Sequence, residues 1–439
     1  MLNAILKGSI ARRWLVVIGA IIVTVWGLQT VSQMPLDVFP NFAPPQVDIQ
    51  TEAPGLAPEE VESLVTLPIE SAVNGTPGVE IVRSSSAASI SVVKITFGWG
   101  TNVYQARQLV TERLQQVASQ LPVGVETPQI TPLSSPIGTI LSYAFTIADE
   151  GQTTLMDVRQ QVDLSITNQL LAVPGITQVI AYGGDIRQYQ VLVNPAQLKA
   201  FDVSLAEVTE AAQAANTNAA GGFLTNSDQE VLIRGLGRIE SIQDLAQSVV
   251  TARSSTPVLL QDVADVQIGA ALKRGDGSLD GKPAIVVLVN KQPLADTPTV
   301  TAAVETAMAG IQAGLPADVE VTVTFRQSDF IDASIKNVTQ ALRDGIIIVS
   351  IILFLFLMNW RTAMITLSAI PLSLLIGLML MNLFGVGINT MTLGGLAVAI
   401  GSVVDDSIVD MENAYRGLRK NQLAGEPVHP FEVVYNTSV

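Results

Sequence analysis

The sequence predicts an α/β membrane protein, in which a transmembrane helical bundle of four spans carries a large βαβ-repeat domain outside the cytoplasm. Composition is the first reason, because mean hydropathy is +0.42 and only 14% of the residues are charged, against about 25% in ordinary globular domains. Four long apolar segments are the second reason, one near the N-terminus and three near the C-terminus. The third is a strand–helix pattern that occurs twice in the region between them.

Net charge and residue usage exclude several function classes. The formal charge of −15 argues against nucleic-acid binding, which needs a basic face. The chain has no cysteine, and His429 is its only histidine, so a thiolate site and a histidine-based metal cluster within this chain are excluded. We predict no cofactor, and the sequence identifies no metal ligands.

The N-terminus predicts a first transmembrane helix. Residues 1–13 form a short basic segment with Lys7, Arg12 and Arg13, and residues 14–33 form an apolar run. This run is longer than the apolar region of a signal peptide and lacks a small-residue cleavage pattern. Because the positive charges precede the span, we place the N-terminus in the cytoplasm.

The region 34–138 predicts a βαββαβ unit. Its expected strands are 46–51, 79–84, 89–97 and 125–130, and its expected helices are 58–73 and 103–121. Alternating apolar residues indicate the strands, and apolar residues spaced three and four apart indicate the helices.

A second copy of this unit is predicted in two parts, 139–194 and 282–335. Its expected strands are 141–147, 176–181, 188–193, 284–290 and 319–325, and its expected helices are 156–171 and 300–311. The turn Thr-Pro-Gly-Val at 76–79 returns as Val-Pro-Gly-Ile at 173–176, after the first helix of each copy. An insertion at 195–281, with a helix at 204–215 and a Gly/Asn-rich turn at 216–222, separates the parts. We expect the insertion to contact a partner, the alternative being a stable appendage.

The remaining apolar segments predict transmembrane helices at 340–358, 362–382 and 390–411, followed by a cytoplasmic segment at 412–439. With four crossings, Arg361 and the cluster Arg416, Arg419 and Lys420 all fall on the cytoplasmic side, as the positive-inside rule expects. The same count places 34–336 outside the cytoplasm.

Two adjacent acids, Asp405 and Asp406, lie inside the last of these helices. An aspartate at the centre of a membrane helix costs roughly 2.5–3.5 kcal/mol on insertion scales, and ionisable residues at that depth usually mark an ion or proton path. Asp410 adds a third carboxylate one helical turn after Asp406. The alternatives are a core helix of a soluble protein, with its acids facing water, or acids at the membrane edge.

Three motifs resemble the resistance–nodulation–division (RND) family of efflux transporters. They are MPLDVFP at 34–40, TEAPGLAPEEVE at 51–62, and GSVVDDSIV at 401–409 with Glu412-Asn413. The chain looks like the N-terminal half of such a transporter. The stretch TPLSSPIG at 131–138 and the pair Gly183-Gly184 followed by 188–193 look like the heavy-metal-efflux branch.

The resemblance implies a multi-pass protein of the cell inner membrane, with two periplasmic porter subdomains and the insertion as part of a docking domain. It implies a homotrimer in membrane lipid that works with a periplasmic adaptor (a membrane fusion protein) and an outer-membrane channel. Asp405 and Asp406 would form the proton relay, with Asp410 as a possible accessory acid. The resemblance also implies a lysine of the C-terminal half as the counter-charge, and none of the four predicted spans contains a lysine.

We therefore predict a proton-driven antiporter that exports metal cations, and not an enzyme. The alternatives within and outside the family are an exporter of organic compounds and a non-transporting membrane scaffold. An intramembrane aspartyl protease fits poorly, because adjacent residues on one helix point about 100° apart and cannot face each other across an active site.

Overall fold

The region between the first apolar helix and the later apolar helices contains two four-stranded antiparallel sheets. The computed structural model describes the chain except residues 1–7, 10, 38–43, 134–137, 150, 217–218, 227–228, 236, 238, 254–255, 274, 294, 358–359, 425–427 and 438–439. Within some helices and strands it describes the backbone alone, which includes residues 403–407.

The first sheet follows helix α1 (Arg13–Gln33). Its elements are β1 (Gln46–Glu52), α2 (Pro58–Val61, Glu62–Thr66 and Leu67–Val73 in succession), β2 (Val79–Ala87), β3 (Ile90–Phe97), α3 (Val103–Ala118) and β4 (Gln129–Ile130). The strand order is β2-β3-β1-β4. Side chains alternate along β1 and β3, so that Ile49, Ile95 and Phe97 are fully buried beneath the two helices, as expected for a sheet with one covered face.

The second part of this region is longer. Its first elements are β5 (Thr139–Ile147), α4 (Leu155–Gln161, Val162–Ile166 and Thr167–Leu171 in succession), β6 (Ile176–Tyr182), β7 (Arg187–Val193), α5 (Pro195–Phe201), α6 (Leu205–Ala214), β8 (Ala219–Asn226) and β9 (Gln229–Gly235). There follow α7 (Ile242–Ala246), β10 (Val249–Arg253), β11 (Thr256–Leu259), α8 (Leu260–Val263), β12 (Ala264–Ala270), β13 (Ser278–Leu279), β14 (Lys282–Pro283), β15 (Ile285–Lys291), α9 (Thr297–Gln312) and β16 (Val319–Arg326).

The second sheet repeats the first. Its order is β16-β5-β15-β6. When the strands of each copy are counted one to four along the chain, both sheets have the order 4-1-3-2. The first helix of each copy also contains one π-type turn, at Glu62–Thr66 and at Val162–Ile166. The two copies therefore share one strand order and one helix irregularity, and the second copy resumes at β15 after the insertion.

The repeated Pro-Gly turn has the same geometry in both copies. Gly78 and Gly175 both have positive φ, +82° and +94°. In each copy the residue after the glycine donates its N–H to the carbonyl three residues earlier, Val79 to Thr76 and Ile176 to Val173, both at 3.2 Å. Glycine is used because L side chains are disfavoured at positive φ.

Three sequence predictions are wrong in detail. The strand expected at 125–130 has only the residues Gln129–Ile130. The strand expected at 188–193 does not join the second sheet, since β7 pairs with β12 at the end of the insertion. The turn expected at 216–222 gives way from Ala219 onward to strand β8, which pairs with β9. The two glycines at 221–222 lie where that pairing shifts register, so they mark an irregularity in a strand.

The apolar helices after the second sheet are α10 (Gln327–Leu357), α11 (Trp360–Leu383) and α12 (Thr390–Gln422), followed by α13 (Pro430–Thr437). Helix α10 starts directly after β16, at residue 327, so the span predicted to begin at 340 lies within a longer helix whose first half is polar. Helix α11 contains Pro371, as predicted.

Within the described residues, two helices are long and apolar enough to cross a membrane by length and composition. They are α1, with mean hydropathy 2.0, and the stretch Ala363–Leu383 of α11, with mean hydropathy 2.2. Thr390–Ala399 at the start of α12 is a shorter apolar stretch. The four-span topology stays a prediction.

Candidate functional site: the acidic helix and the junction at its start

Helix α12, which contains the two adjacent aspartates, begins at a complete N-terminal cap. The Asn389 side chain accepts hydrogen bonds from the N–H groups of Met391 and Thr392, both at 3.0 Å. The Thr392 hydroxyl in turn accepts from the Asn389 N–H at 2.8 Å. Asn389 is 5% exposed. Because a buried Asn cap satisfies N–H groups that would otherwise lack partners, the start of this helix is fixed.

The predicted relay residues Asp405 and Asp406 lie in the helical backbone of α12. At 1.5 Å per residue they are about 22 Å along the axis from Thr390. Their side chains lie outside the described residues, so their role stays a prediction. Asp410 is described and is exposed. Among the described residues, no group of three or more His, Cys, Asp or Glu side chains is placed to hold a metal ion.

The apolar helices pack with α11 between α1 and α12, while α10 contacts both α11 and α12. Met34, Leu378 and Ile388 form a small buried cluster where α1 ends, α11 ends and α12 begins. Gly27 allows α1 to approach α11 closely, since a Cβ on this residue would lie 3.0 Å from Leu375 Cβ. The start of α12 is therefore held in an apolar contact as well as by its cap.

The segment Pro35–Leu36–Asp37, which follows α1, is bonded to the residue just before that cap. The Asp37 N–H donates to the Ile388 carbonyl and the Ile388 N–H donates to the Pro35 carbonyl, both at 3.1 Å. Leu36 and Ile388 thus form an isolated parallel β-bridge. We call the segment Pro35–Leu36–Asp37 together with Ile388 the junction.

The junction also binds the second sheet through an ion pair. Lys291, the last residue of β15, has a side chain that is 3% exposed, and its Nζ lies 2.6 Å from Asp37 Oδ2. The same Nζ donates to the Ala295 carbonyl at 2.9 Å. A buried ammonium without its carboxylate partner would be strongly unfavourable, so this pair fixes Asp37 against the end of the sheet.

Asp296 gives the junction a second link to the same copy. Its carboxylate accepts from the Leu36 N–H at 2.8 Å and from the Thr299 N–H at 2.9 Å, where it caps α9. Burial alone would raise its pKa, but the hydrogen bonds from Thr299 and Leu36 and the charge of Lys291 outweigh burial and lower the pKa below its ordinary value. Asp296 is therefore an ionised anchor at neutral pH.

The C-terminal end of α12 carries a helical hairpin. The Asn421 side chain donates to the Val428 carbonyl at 2.7 Å and accepts from the Val428 N–H at 2.9 Å. This bond pair turns the chain back so that α13 packs on α12. Gly417 makes the contact close, since a Cβ there would lie 2.6 Å from the Thr437 methyl carbon. Arg13 of the N-terminal segment stacks over the Phe431 ring at 5.2 Å.

Sequence reasoning identified the acids but missed the junction. Asp37 was included only as part of the motif at 34–40, and Lys291 was not singled out. The available signal was a lysine directly after an apolar strand that the pattern predicts to be buried. The pairing itself joins residues 254 positions apart, and no local pattern reveals such a contact.

Comparison with known proteins extends over nearly the whole chain. The family profile described as the AcrB/AcrD/AcrF family matches residues 5–438. The putative cation efflux system protein SilA of Salmonella typhimurium is 34% identical over 100% of this chain and 41% of its own length. The cation efflux system protein CusA of Escherichia coli (strain K12) is 35% identical over 96% of this chain and 40% of its own length.

A third relative and a solved structure agree with these. The cobalt-zinc-cadmium resistance protein CzcA of Cupriavidus metallidurans is 33% identical over 96% of this chain and 40% of its own length. The crystal structure of a heavy metal efflux pump superposes with a TM-score of 0.87 at 30% identity, covering 99% of this chain and 42% of that one. The chain thus spans about two fifths of the length of these relatives.

Proposed function

The chain belongs to the AcrB/AcrD/AcrF family, and we propose that it is the N-terminal half of a proton-driven transporter that exports metal cations. The observation that carries the proposal is the pair Asp405-Asp406 inside α12, a helix that begins as an apolar stretch and packs against α10 and α11. Acids at such a position are costly and usually serve ion or proton movement.

In the proposed mechanism, a proton from the periplasm neutralises one acid of the pair and is later released to the cytoplasm. The two protonation states favour different packings of α12, because a charged and a neutral helix differ in what they can contact. Asn389 fixes the residue at which α12 begins, and Ile388 just before it is bonded to Pro35 and Asp37. A change in the packing of α12 therefore displaces the junction. Asp410, which lies one turn further along, would assist as an accessory acid.

The proposed location is the cell inner membrane, crossed by α1, α10, α11 and α12, with both sheets in the periplasm. Helix α1 supports this, because only 6% of the residues in its apolar window are buried, and such a surface requires lipid or another apolar partner. The positive-inside count of the sequence gives the same orientation.

The proposed assembly is a homotrimer that works with a periplasmic adaptor and an outer-membrane channel. The insertion supports an adaptor contact, since the ribbon of β7 and β12 exposes apolar side chains. Tyr189 and Ile268 lie directly opposite each other on this ribbon and are 52% and 46% exposed. Exposed apolar side chains in register are typical of a contact surface.

Metal cations are the proposed cargo because the relatives are named for cation efflux and for resistance to cobalt, zinc and cadmium. The main site for such a cargo would lie largely in the C-terminal half, as the family resemblance implies. Organic cations are the competing cargo, and the experiment below separates the two.

The test is proton exchange in everted membrane vesicles energised by respiration. Zn²⁺, Co²⁺, Cd²⁺, Cu⁺, Ag⁺ and cationic dyes are added in turn, and recovery of quenched acridine fluorescence reports proton exit. We compare this chain alone with this chain plus the coding region that follows it. A response to metals alone supports cation export, and a response to dyes alone would replace it by organic export.

The relay is tested with Asp405→Asn and Asp406→Asn, and the matched control is Glu59→Gln, which neutralises an exposed acid in the first turn of α2. We expect either relay variant to lose metal-dependent proton exit while the control retains it. Normal exchange in both relay variants, at normal protein level, would refute the proposed relay. Absence of any metal-dependent or dye-dependent exchange in the unchanged protein would instead favour the non-transporting scaffold.

A further inference from the structure

The second sheet is connected to the helix bundle at one of its edges. Strands β15 and β16 flank β5 and run in the same direction, because both pair with it antiparallel. Val289 and Arg326 both pair with Leu141, so the C-terminal ends of the two flanking strands lie at the same edge. These ends are two strand spacings apart, or about 10 Å.

The first connection at this edge is covalent. Strand β16 ends at Arg326 and α10 starts at the next residue, Gln327, with no intervening loop. Gln327 and Ser328 are buried, at 6% and 9% exposure. A helix that continues a strand without a loop moves with the sheet, because few backbone torsions are free at the connection.

The second connection is the junction. Strand β15 ends at Lys291, whose Nζ binds the Asp37 carboxylate. The Asp37 N–H binds the carbonyl of Ile388, and Ile388 directly precedes the Asn389 cap of α12. A path of short bonds therefore joins the sheet to the helix that contains Asp405 and Asp406.

We infer that Lys291 and Asp37 are positioning residues for proton-driven transport, which couple the position of α12 to that of the second sheet. The inference rests on the proposed function. Because α10 holds the sheet at one point and the junction holds it about 10 Å away, a shift of α12 relative to α10 turns the sheet. Without the ion pair, only the Asp296 link at the start of α9 remains, and the sheet follows α12 less closely.

The ion pair is suited to this role because it is buried at one end only. The Lys291 side chain is 3% exposed and that of Asp37 is 31% exposed. The lysine has little access to water that could replace its carboxylate partner, so opening of the pair is costly and we expect it to stay closed when the helix shifts. The hydrogen bond from Lys291 Nζ to the Ala295 carbonyl keeps the ammonium at the edge of the sheet.

The test measures movement of the sheet directly and needs no knowledge of the cargo. Because the chain has no cysteine, spin labels can be placed at Gln312→Cys, exposed at the end of α9, and Ile348→Cys, exposed on α10, so that their distance reports turning of the sheet relative to α10. The distance distribution is recorded in lipid nanodiscs for the transporter formed with the C-terminal half. Asp405→Asn with Asp406→Asn serves as the neutralised state.

We expect the neutralised state to change the label distance, and we expect Lys291→Met to reduce that change at least about twofold. Lys291→Arg keeps the charge and is expected to preserve the change. The exchange Asp37→Lys with Lys291→Asp is expected to restore much of it. A pair that only held the fold together would lower thermal stability in Lys291→Met without reducing the distance change.

Two results would overturn the inference, and they are distinguishable. If neutralisation changes the distance equally with and without the ion pair, the coupling is wrong while the proposed relay stands. If neutralisation changes nothing with the ion pair intact, and metal-dependent proton exit is also insensitive to it, the relay fails and the inference fails with it. Should Lys291→Met not fold, the charge exchange decides between the same results.

Discussion

Gly183 is predicted to be irreplaceable, because two chain segments cross there with no room for a side chain. The chain leaves the second sheet toward the insertion at this residue and returns just before β15. Gly183 has φ +79°, and a Cβ on it would lie 2.4 Å from the Ala284 carbonyl oxygen and 2.7 Å from the Gly277 nitrogen. Both of these atoms belong to backbone, so Gly183→Ala forces the returning segment to move.

The expected cost has two parts. An L residue in the left-handed region costs roughly 1–2 kcal/mol. Displacing the returning segment disrupts the 2.9 Å hydrogen bond from the Ala284 N–H to the Gly277 carbonyl. Leaving the N–H of the buried Ala284 unpaired costs about 1–3 kcal/mol more. The local free energy of opening should therefore fall by about 2–5 kcal/mol.

Hydrogen exchange of the segment 276–291 measures this local opening, and Gly281→Ala is the matched control. Gly281 also has positive φ, +81°, but nothing lies within 4 Å of where its Cβ would be. Both variants incur the backbone cost, and only Gly183→Ala adds the collision. Exchange in Gly183→Ala should be about 5–150-fold faster than in the control. Equal rates in the two variants would show that the crossing tolerates a side chain and would refute the reasoning.

Three further predictions concern the helices and the junction. Asn421→Ala removes both bonds to Val428 and should weaken the hairpin by about 1–2 kcal/mol, seen as faster proteolysis of the adjoining loop; unchanged cleavage would contradict it. Gly27→Leu should separate α1 from α11 and lower the melting temperature, whereas Gly19→Leu, with nothing within 4 Å, should not. The lowered pKa of Asp296 means that its stabilisation is complete above the ordinary aspartate pKa of about 3.9 and is lost as pH falls through the lower folded value. Asp296→Asn should therefore reduce the dependence of the free energy of unfolding on pH in that range. An unchanged slope of that free energy against pH would contradict the prediction.

The duplicated fold could be predicted because its signals are local. Apolar alternation indicated β1, β3 and β5, and the Pro-Gly turns at Gly78 and Gly175 marked the same point in both copies. Each such signal spans a few residues and depends on backbone preferences that hold in any context. Even the interrupted second copy could be recognised, since each of its elements keeps its own pattern.

The errors arose where tertiary contacts override local patterns. The glycines at 221–222 look like a turn, but pairing with β9 extends them into a strand. Strand β7 has an ordinary strand pattern, and only its partner β12 shows that it leads into the insertion. The polar first half of α10 lacks a membrane-type signal, so its continuity with β16 was missed. Strand pairing at long sequence separation is not encoded in periodicity.

The candidate site divides in the same way. Asp405 and Asp406 could be found from sequence because an acid in an apolar helix is conspicuous by itself. Lys291 and Asp37 are conspicuous only as a pair. A lysine after a strand and an aspartate after a span are each unremarkable, and the fold alone brings them within 2.6 Å.

The second sheet is the described element that directly joins the acidic helix bundle to the insertion. The C-terminal end of β15, at Lys291, contacts the junction. At the opposite end of the sheet, Tyr182 is followed by the crossing at Gly183. Val286 pairs with Tyr182 and Lys291 pairs with Ile176, so the two attachments lie at opposite ends of the paired strands β15 and β6, about 20 Å apart. The core between them is fully buried, and close-packed cores transmit displacement with little compression. A movement imposed at Lys291 should therefore reach Gly183 as a rotation of the whole sheet. If Lys291 and Asp37 couple α12 to the sheet as inferred above, stiffness at the glycine crossing and closure of the ion pair serve the same movement.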